Sequence, residues 1–254
     1  MQIDFTDKRV LVTGGSRGIG RAILEMFLES GARVALNGST NESTARAIAE
    51  IGAGNRLVAA PGSVACVADC RRIVETAVAG LDGLDVLINN AGWGDVTELG
   101  KTSEESWNRT IDTNLKAVYF MTQFAAPHLK AAKGSIVNFS SVFGLVGAPG
   151  SSVYGAAKAG VINLTMTHAL ELAPDVRVNA VCPGSVDTDM LREMALTLAD
   201  SVEEGYAILL EDTTALKRIA DPRELAGPVL YLCSDLASYV TGSIHVVDGG
   251  ETID

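Results

Sequence analysis

The chain is poor in cysteine, histidine and aromatic residues. Its 254 residues include four cysteines, three histidines and only 5% Phe, Trp and Tyr. Cys66 and Cys70 lie close together, but no second Cys or His pair follows at the spacing of a zinc site. A chain of this length also needs no disulfides to fold. We therefore expect reduced structural thiols and no metal site.

Basic residues and long apolar runs are scarce as well. Twenty Lys and Arg stand against 31 Asp and Glu, so the net charge is -11. A field of this sign repels nucleic-acid backbones and anionic membrane surfaces. No apolar run approaches the ~20 residues that span a bilayer, and the first residues do not have the pattern of a signal peptide. The expectation is a cytoplasmic protein with neither nucleic-acid nor membrane partners.

Short runs rich in Val, Ile and Leu alternate with longer segments of helical period. The runs are RVLVTG, ARVALN, RLVAAP, LDVLINN, GSIVNFS, VRVNAVCPG and SIHVVDGG. Continuous apolar runs are typical of strands buried on both faces of a parallel sheet that helices cover. The pattern predicts one α/β domain with a doubly wound parallel sheet of about seven strands, a Rossmann fold.

Several helices can be placed from the sequence. One is expected from about 18 to 30 and another from about 151 to 173. Pro228 should disturb the last helix of the chain. The segment from about 188 to 216 departs from the regular alternation and reads as a helical insertion between the sixth and seventh strands. We expect this insertion to form a lid.

The motif TGGSRGIG at 13–20 follows the first strand and opens the first helix. Glycines let a pyrophosphate approach the backbone, and a helix N-terminus offers free N–H groups and a positive dipole end. A glycine triplet alone is weak evidence, but this strand, turn and helix context indicates a dinucleotide site. The expected contacts are Gly14, Ser16, Arg17, Gly18, Ile19 and Gly20.

The end of the second strand reads VALNGST and contains no acid. In dinucleotide folds an acidic residue roughly 20 positions after the glycines binds the ribose hydroxyl of NAD. Here Asn37, Ser39 and Thr40 stand in that region, so a 2′-phosphate is tolerated and Arg17 can pair with it. The sequence favours NADP(H) over NAD(H), with a merely solvated Arg17 as the alternative.

Tyr154 and Lys158 lie one helical turn apart on the same face of a predicted helix. A neighbouring ammonium favours the phenolate by roughly 1 to 3 pKa units, which would make the pair a general acid and base. By itself the pair is more typical of an ordinary helix surface. Two other residues favour the catalytic interpretation instead. They are Ser141, at the carboxyl end of the strand SIVNFSS, and Asn114, a polar residue among apolar neighbours.

Taken together, these motifs resemble the single-domain type of the short-chain dehydrogenase/reductase family, and within it the 3-oxoacyl carrier-protein reductase-like branch. They cover nearly the whole chain in family order: TGGSRGIG at 13–20, NNAG at 89–92, Asn114, Ser141, YGAAK at 154–158 and PGSVDT at 183–188. The branch includes many sugar, alcohol and ketone dehydrogenases, so the resemblance leaves the substrate open.

The resemblance implies an oxidoreductase that interconverts a carbonyl and a secondary alcohol. Tyr154 would exchange a proton with the substrate oxygen while hydride moves to or from the nicotinamide. Ser141 would orient that oxygen, Lys158 would lower the tyrosine pKa and bind the nicotinamide ribose, and Asn114 would relay protons through water. Relatives are usually homotetramers, and we expect one here.

Further cofactor contacts are implied by the same resemblance. They are Asn90, Ala91 and Gly92 in the cleft, and Pro183, Gly184, Val186 and Thr188 in the loop that would hold the carboxamide. One departure concerns the adenine end, where Ser63 precedes Val64 and many relatives have Asp. A serine can still hydrogen-bond an adenine amine.

Two other functions compete with this one. A dinucleotide-binding sensor or scaffold would need the glycine turn but not the set of Ser141, Tyr154 and Lys158. An epimerase or dehydratase of the same family tends to need a longer substrate domain. The candidate pocket walls are mostly apolar and suggest an uncharged or partly apolar carbonyl compound; they are Trp93, Val142, Phe143, Val146, Met190 and Met194.

Overall fold

The fold is built on one parallel sheet. The computed structural model describes residues 3–94, 97–210 and 214–253. Its strands are β1 (Arg9–Val12), β2 (Arg33–Leu36), β3 (Leu57–Ala59), β4 (Val86–Asn89), β5 (Ser135–Phe139), β6 (Arg177–Pro183) and β7 (Ile244–Val247). They follow the order β3-β2-β1-β4-β5-β6-β7, and every neighbouring pair is parallel. The predicted doubly wound parallel sheet is confirmed.

Helices connect the strands and cover both faces of the sheet. They are α1 (Gly18–Glu29), α2 (Asn41–Ile51), α3 (Val67–Leu81), α4 (Glu104–Ile111), α5 (Ala117–Ala132), α6 (Ser152–Leu172), α7 (Asp189–Ala195), α8 (Val202–Leu210) and α9 (Pro222–Cys233). The helices expected at 18–30 and 151–173 are confirmed as α1 and α6. Helices α7 and α8 fall inside the predicted insertion.

The prediction that Pro228 disturbs the last helix is wrong in one respect, because α9 continues through it. Proline removes one intrahelical hydrogen bond and crowds the preceding turn. The apolar face of α9 offsets that cost, since Leu225, Val229 and Leu232 are completely buried against the sheet and α1. Packing therefore decides the length of this helix.

Two hydrophobic layers lie on opposite sides of the sheet. The side chains of Val10 and Val12 pack into the layer beneath α1 and α9, whereas Leu11 packs into the layer beneath α3 and α5. All three residues are completely buried. This two-sided burial is why the strand sequences are continuously apolar instead of alternating.

The chain order reverses at β1, which lies between β2 and β4. In open α/β sheets, ligands bind outside the carboxyl ends of the strands at such a reversal. The glycine turn follows β1, and the loop that begins at Asn90 follows β4. Both therefore lie at the edge where a ligand is expected.

Two further findings concern the described residues as a whole. None of the described helices is long and apolar enough to cross a membrane. Within the same ranges, no group of three or more His, Cys, Asp or Glu side chains is placed to hold a metal ion. The four cysteines are free thiols in this structure.

Candidate active site

The glycine turn is packed so tightly that side chains would not fit. Gly14 and Gly18 have φ angles of 63° and 54°, in the left-handed region that favours glycine. A Cβ atom on Gly20 would collide with the carbonyl oxygen of Gly14 and the side-chain amide of Asn90. The backbone of the turn is thus bare at the start of α1, where N–H groups are free to face an anion.

The loop after β4 is fastened directly to this turn. The Asn90 side-chain amide donates to the carbonyl oxygens of Thr13 at 3.0 Å and Gly14 at 3.3 Å. The backbone N–H of Ala91 donates to Thr13 Oγ1 at 3.1 Å. Asn90 and Ala91 are consequently held against the glycine turn.

Asn37 braces the strand ends around the turn. Its buried side-chain amide donates to the carbonyl oxygens of Ala60 at 2.9 Å, Gly62 at 3.0 Å and Gly38 at 3.2 Å, and its Oδ1 accepts from Gly14 N–H at 3.4 Å. The amide N–H groups are therefore occupied by the protein itself. The sequence showed that this position has no acidic residue. It did not show that the Asn37 side chain hydrogen-bonds the backbone at the ends of the neighbouring strands.

Other residues predicted to meet the adenosine end lie around the same strand ends. Ser39 is exposed, and Thr40 is the N-cap of α2, where its Oγ1 accepts from Ser43 N–H at 3.1 Å. Ser63 follows β3, and its N–H donates to Asp69 at 2.9 Å. Val64 is buried beside it. These residues place polar groups beside the carboxyl ends of β2 and β3.

Arg17, which was predicted to pair with a cofactor phosphate, contacts helix α7 in this structure. Its guanidinium forms an ion pair with Asp189, the first residue of α7, at 3.2 Å, and both side chains are largely exposed. Exposed ion pairs of this kind are weak. The ion pair with Asp189 therefore contributes little to holding Arg17 in place.

Asn114 lies in a π-helical turn, Asp112–Lys116, between α4 and α5. Its completely buried amide donates to the carbonyl oxygens of Trp93 at 2.6 Å and Thr110 at 2.9 Å, and its Oδ1 accepts from Trp93 N–H at 3.3 Å. Such turns are frequent at functional sites. The polar partner that the sequence required is thus the backbone at Trp93, next to the cleft.

Ser141 and Tyr154 meet at the carboxyl end of β5. The serine follows the strand, and its hydroxyl lies near Tyr154 on α6. Burial raises the pKa of Tyr154, and the neighbouring Ser141 hydroxyl opposes that shift. The phenol therefore keeps its proton at neutral pH. This direction is opposite to the lowering expected from Lys158, because desolvation of the phenolate outweighs the other influences.

Lys158 is also buried one turn along α6. Its ammonium donates to the carbonyl oxygen of Phe139 at 2.9 Å and lies 5.5 Å from the centre of the Tyr154 ring. Burial lowers the pKa of Lys158 to about 8, while the neighbouring Cys182 thiol acts in the opposite direction. The ammonium is fixed by the end of β5, close to the tyrosine ring.

Sequence reasoning missed a buried polar chain that holds α6 on the sheet. Asn89 Nδ2 donates to Asn138 Oδ1 at 2.9 Å, and Asn138 Nδ2 donates to Thr165 Oγ1 at 3.0 Å. These three residues lie on β4, β5 and α6. An asparagine inside each of two apolar strand runs was the available signal, because buried amides need partners.

The loop 183–188 closes the other side of the cleft. Thr188 is the N-cap of α7, and its Cγ2 lies 3.3 Å from the point where a Cβ on Gly18 would be. Val186 is buried and pairs with Ala220 in an isolated bridge. The three segments predicted to bind a cofactor therefore meet at one edge of the sheet.

Helix α7 lies directly beside the tyrosine. A Cβ on Gly94 would be 3.2 Å from Met190 Sδ and 3.8 Å from Tyr154 Cε2. The Phe143 ring meets Tyr154 edge-on, with 6.5 Å between ring centres. The Trp93 ring is stacked with the guanidinium of Arg109, 4.2 Å away, so one of its faces is already occupied.

Comparisons with known proteins agree with this geometry. A family profile described as Enoyl-(Acyl carrier protein) reductase matches residues 14–252. A probable galactose dehydrogenase of Rhizobium meliloti is 39% identical over 253 residues, which cover 97% of this chain and 96% of that protein. A 3-oxoacyl-[acyl-carrier-protein] reductase of Chlamydia trachomatis is 36% identical over 251 residues, which cover 97% and 98%. The chain belongs to the short-chain dehydrogenase/reductase family.

A solved structure extends the likeness to three dimensions. The L-sorbose reductase of Gluconobacter frateurii, complexed with NADPH and L-sorbose, superposes with a TM-score of 0.92 at 27% identity and covers 99% of this chain and 98% of its own. The resemblance to short-chain dehydrogenases/reductases, and to their 3-oxoacyl carrier-protein reductase-like branch, is confirmed. This family member is an oxidoreductase of the carbonyl and alcohol class.

Proposed function

We propose that this short-chain dehydrogenase/reductase interconverts a carbonyl compound and a secondary alcohol with Tyr154 as its general acid and base. The observation that carries the proposal is the grouping of Ser141, Tyr154 and Lys158 at the carboxyl edge of the sheet, with the Lys158 ammonium 5.5 Å from the centre of the tyrosine ring. Because the pKa of Tyr154 is raised, its phenol is protonated at neutral pH and carries the proton that the oxygen of a bound carbonyl would receive. The Ser141 hydroxyl orients that oxygen.

The residues at this edge fit a dinucleotide. The crowding around Gly14 and Gly20 leaves a bare backbone cradle at the N-terminus of α1, which suits a pyrophosphate. Asn90 to Gly92 and the loop 183–188 would hold the nicotinamide end, and Ser63 with Val64 the adenine. When bound, the nicotinamide would supply or accept hydride at the substrate carbon.

Lys158 and Asn114 complete the proposed site in supporting roles. The Lys158 ammonium would bind the nicotinamide ribose, and its charge would favour the tyrosinate when the reaction runs toward the carbonyl. Asn114 fixes the backbone at Trp93 and would hold a water that replaces the proton of Tyr154. In this proposal α7 and α8 form a lid, because Met190 already lies against Gly94 beside the tyrosine.

We further propose a preference for NADP(H). Replacing Arg17 with Ala should lower kcat/KM for NADPH by about 10- to 100-fold, because a hydrogen bond to a charged group contributes roughly 1.5–3 kcal/mol. The value for NADH should stay near that of the wild type, because NADH has no 2′-phosphate. Steady-state kinetics with both cofactors measure the difference.

Lys130→Ala, at an exposed position of α5, is the control for the loss of one positive charge. It should leave both cofactor values unchanged. A wild-type enzyme that strongly prefers NADH, or an Arg17→Ala variant equally impaired with both cofactors, would refute the preference.

The substrate in this proposal is an uncharged, partly apolar carbonyl compound. Met190 is 44% exposed beside the tyrosine, and the Phe143 ring meets the tyrosine ring edge-on. Val146, also 44% exposed, follows Ser141 in the chain. A panel of cyclic ketones, chain ketones and ketoses of similar size, followed by nicotinamide absorbance, should show kcat/KM at least about tenfold higher for the apolar ketones. Higher values for the ketoses would instead favour a sugar substrate.

The same proposal includes a homotetramer in the cytoplasm. Leu170 on α6 is 82% exposed and Tyr239, after α9, is fully exposed. Large apolar side chains left in water support association with further copies of the chain. Helix α6 also carries Tyr154, so association would bury the outer side of the catalytic helix.

A further inference from the structure

The C-terminal tail, residues 248–252, runs directly behind the loop 183–188. The Glu251 carboxylate accepts hydrogen bonds from the Ser185 backbone N–H at 3.0 Å and from its hydroxyl at 3.3 Å. A Cβ on Gly184 would lie 2.5 Å from Glu251 Oε2 and 2.9 Å from Asp248 Cα. Only glycine at 184 leaves room for this contact.

The tail is itself ordered and is attached to the end of the helical insertion. The Asp248 carboxylate accepts from the N–H groups of Gly250 at 2.9 Å and Thr252 at 2.8 Å. The Gly249 carbonyl oxygen accepts from Leu216 N–H at 3.0 Å. The tail therefore connects the residue at the end of the predicted lid to Ser185 in the loop.

A carboxylate such as that of Glu251 has a desolvation cost in such a contact. Glu251 is partly buried, and among the described residues no Lys, Arg or His forms an ion pair with it. Burial raises the pKa of Glu251, and the negative charge of Asp248 raises it further. The hydrogen bonds from Ser185 lower it. A neutral acceptor would avoid that desolvation cost, so stability alone does not explain a carboxylate here.

We propose that Glu251 is a positioning residue for the cofactor, whose carboxylate holds Ser185, and with it the loop 183–188, in the shape that receives the nicotinamide end. Glu251 itself lies behind the loop and contacts it through Ser185 and the Cα side of Gly184. The inference rests on the proposed function, because that function assigns the loop to the cofactor.

The test compares Glu251→Ala and Glu251→Gln with the wild type. Calorimetric titration with NADPH gives the Kd, differential scanning calorimetry without cofactor gives the Tm, and kinetics give kcat and the cofactor KM. Glu251→Ala should raise Kd and KM by roughly tenfold, because Ser185 loses two hydrogen bonds to a charged acceptor. Its kcat at saturating cofactor should not fall. Its Tm should change little, because the loss of these two bonds and the removal of a partly buried charge act in opposite directions.

Glu251→Gln keeps an acceptor oxygen for Ser185 and should restore most of the affinity, with a Tm at or above that of the wild type. The matched control is Glu75→Gln on α3, where the carboxylate is exposed and lies outside the proposed cofactor site and lid. It should leave Kd, KM and Tm unchanged.

The possible results separate this inference from the proposed function. Wild-type affinity in Glu251→Ala, or a Tm that falls in both variants together with affinity, would overturn the positioning role alone. A wild-type protein that binds neither NADPH nor NADH in the titration would overturn the proposed function and the positioning role with it.

Discussion

Tyr154→Phe is expected to lower kcat by about 10² to 10⁴ and to leave the Kd of the cofactor near its wild-type value. The substitution removes only the hydroxyl that lies near Ser141, while the ring keeps its edge contact with Phe143. The variant therefore keeps the cleft and loses the proton that the substrate oxygen requires. Turnover of the best substrate and calorimetric titration with NADPH measure the two effects separately.

The control for this experiment is Tyr119→Phe. Tyr119 lies on α5 and is 44% exposed, so its hydroxyl has no part in the proposed chemistry. That variant should turn over like the wild type. If Tyr154→Phe also kept the wild-type rate, the general acid and base would have to be another group, and the assignment of Tyr154 would be lost.

Lys158→Met is the second substitution with a large expected effect. It should lower kcat by at least about 10², because the tyrosinate loses its neighbouring charge and the ribose loses its donor. Methionine is flexible enough to fill the space that the lysine side chain occupies. The Tm at neutral pH should therefore not fall, since the variant no longer has to bury an ammonium held by one backbone carbonyl.

The pH dependence of stability gives a separate test of Lys158. Its pKa is about 8 in the folded protein, against 10.5 for an ordinary lysine. Between these values the unfolded chain binds more protons than the folded one, so the stability contributed by Lys158 rises with pH across that window and is lost as pH falls through 8. Between about pH 8 and 10, the Tm of the wild type should therefore rise relative to the Tm of Lys158→Met.

Lys130→Met, on the exposed side of α5, is the control for both measurements. Its Tm should follow the wild type at every pH, because an exposed ammonium keeps its solvent when the chain folds. Parallel Tm curves for the wild type and Lys158→Met would contradict the buried ammonium. An unchanged kcat would contradict its role beside Tyr154.

The sheet and the glycine turn could be predicted because their causes are local. Val10, Leu11 and Val12 are consecutive apolar residues because each faces one of two covered sides, and that requirement appears directly in the sequence. Gly14 and Gly20 are recognisable for a similar reason, because the positive φ of Gly14 and the contact of Gly20 with the Gly14 carbonyl arise within the turn itself. Predictions of this kind need no knowledge of distant contacts.

Other features of the site depend on partners that are remote in sequence. The amide of Asn37 is occupied by carbonyl groups at the end of β3, and that of Asn114 by the backbone at Trp93. The spacing of Tyr154 and Lys158 predicted their proximity but not the burial that sets both pKa values. Desolvation is a property of the folded surroundings, so no local pattern contains it.

The π-helical turn at Asp112–Lys116 has a geometric consequence for everything after it. One extra residue in a turn advances an α-helix by about 100°. The buried face of α5, with Met121, Ala125 and Leu129, is therefore rotated relative to the face that a continuous extension of α4 would present. The same π-helical turn places Asn114 beside the Trp93 backbone and directs the apolar face of α5 toward the core. A change in the position of one would therefore change the position of the other.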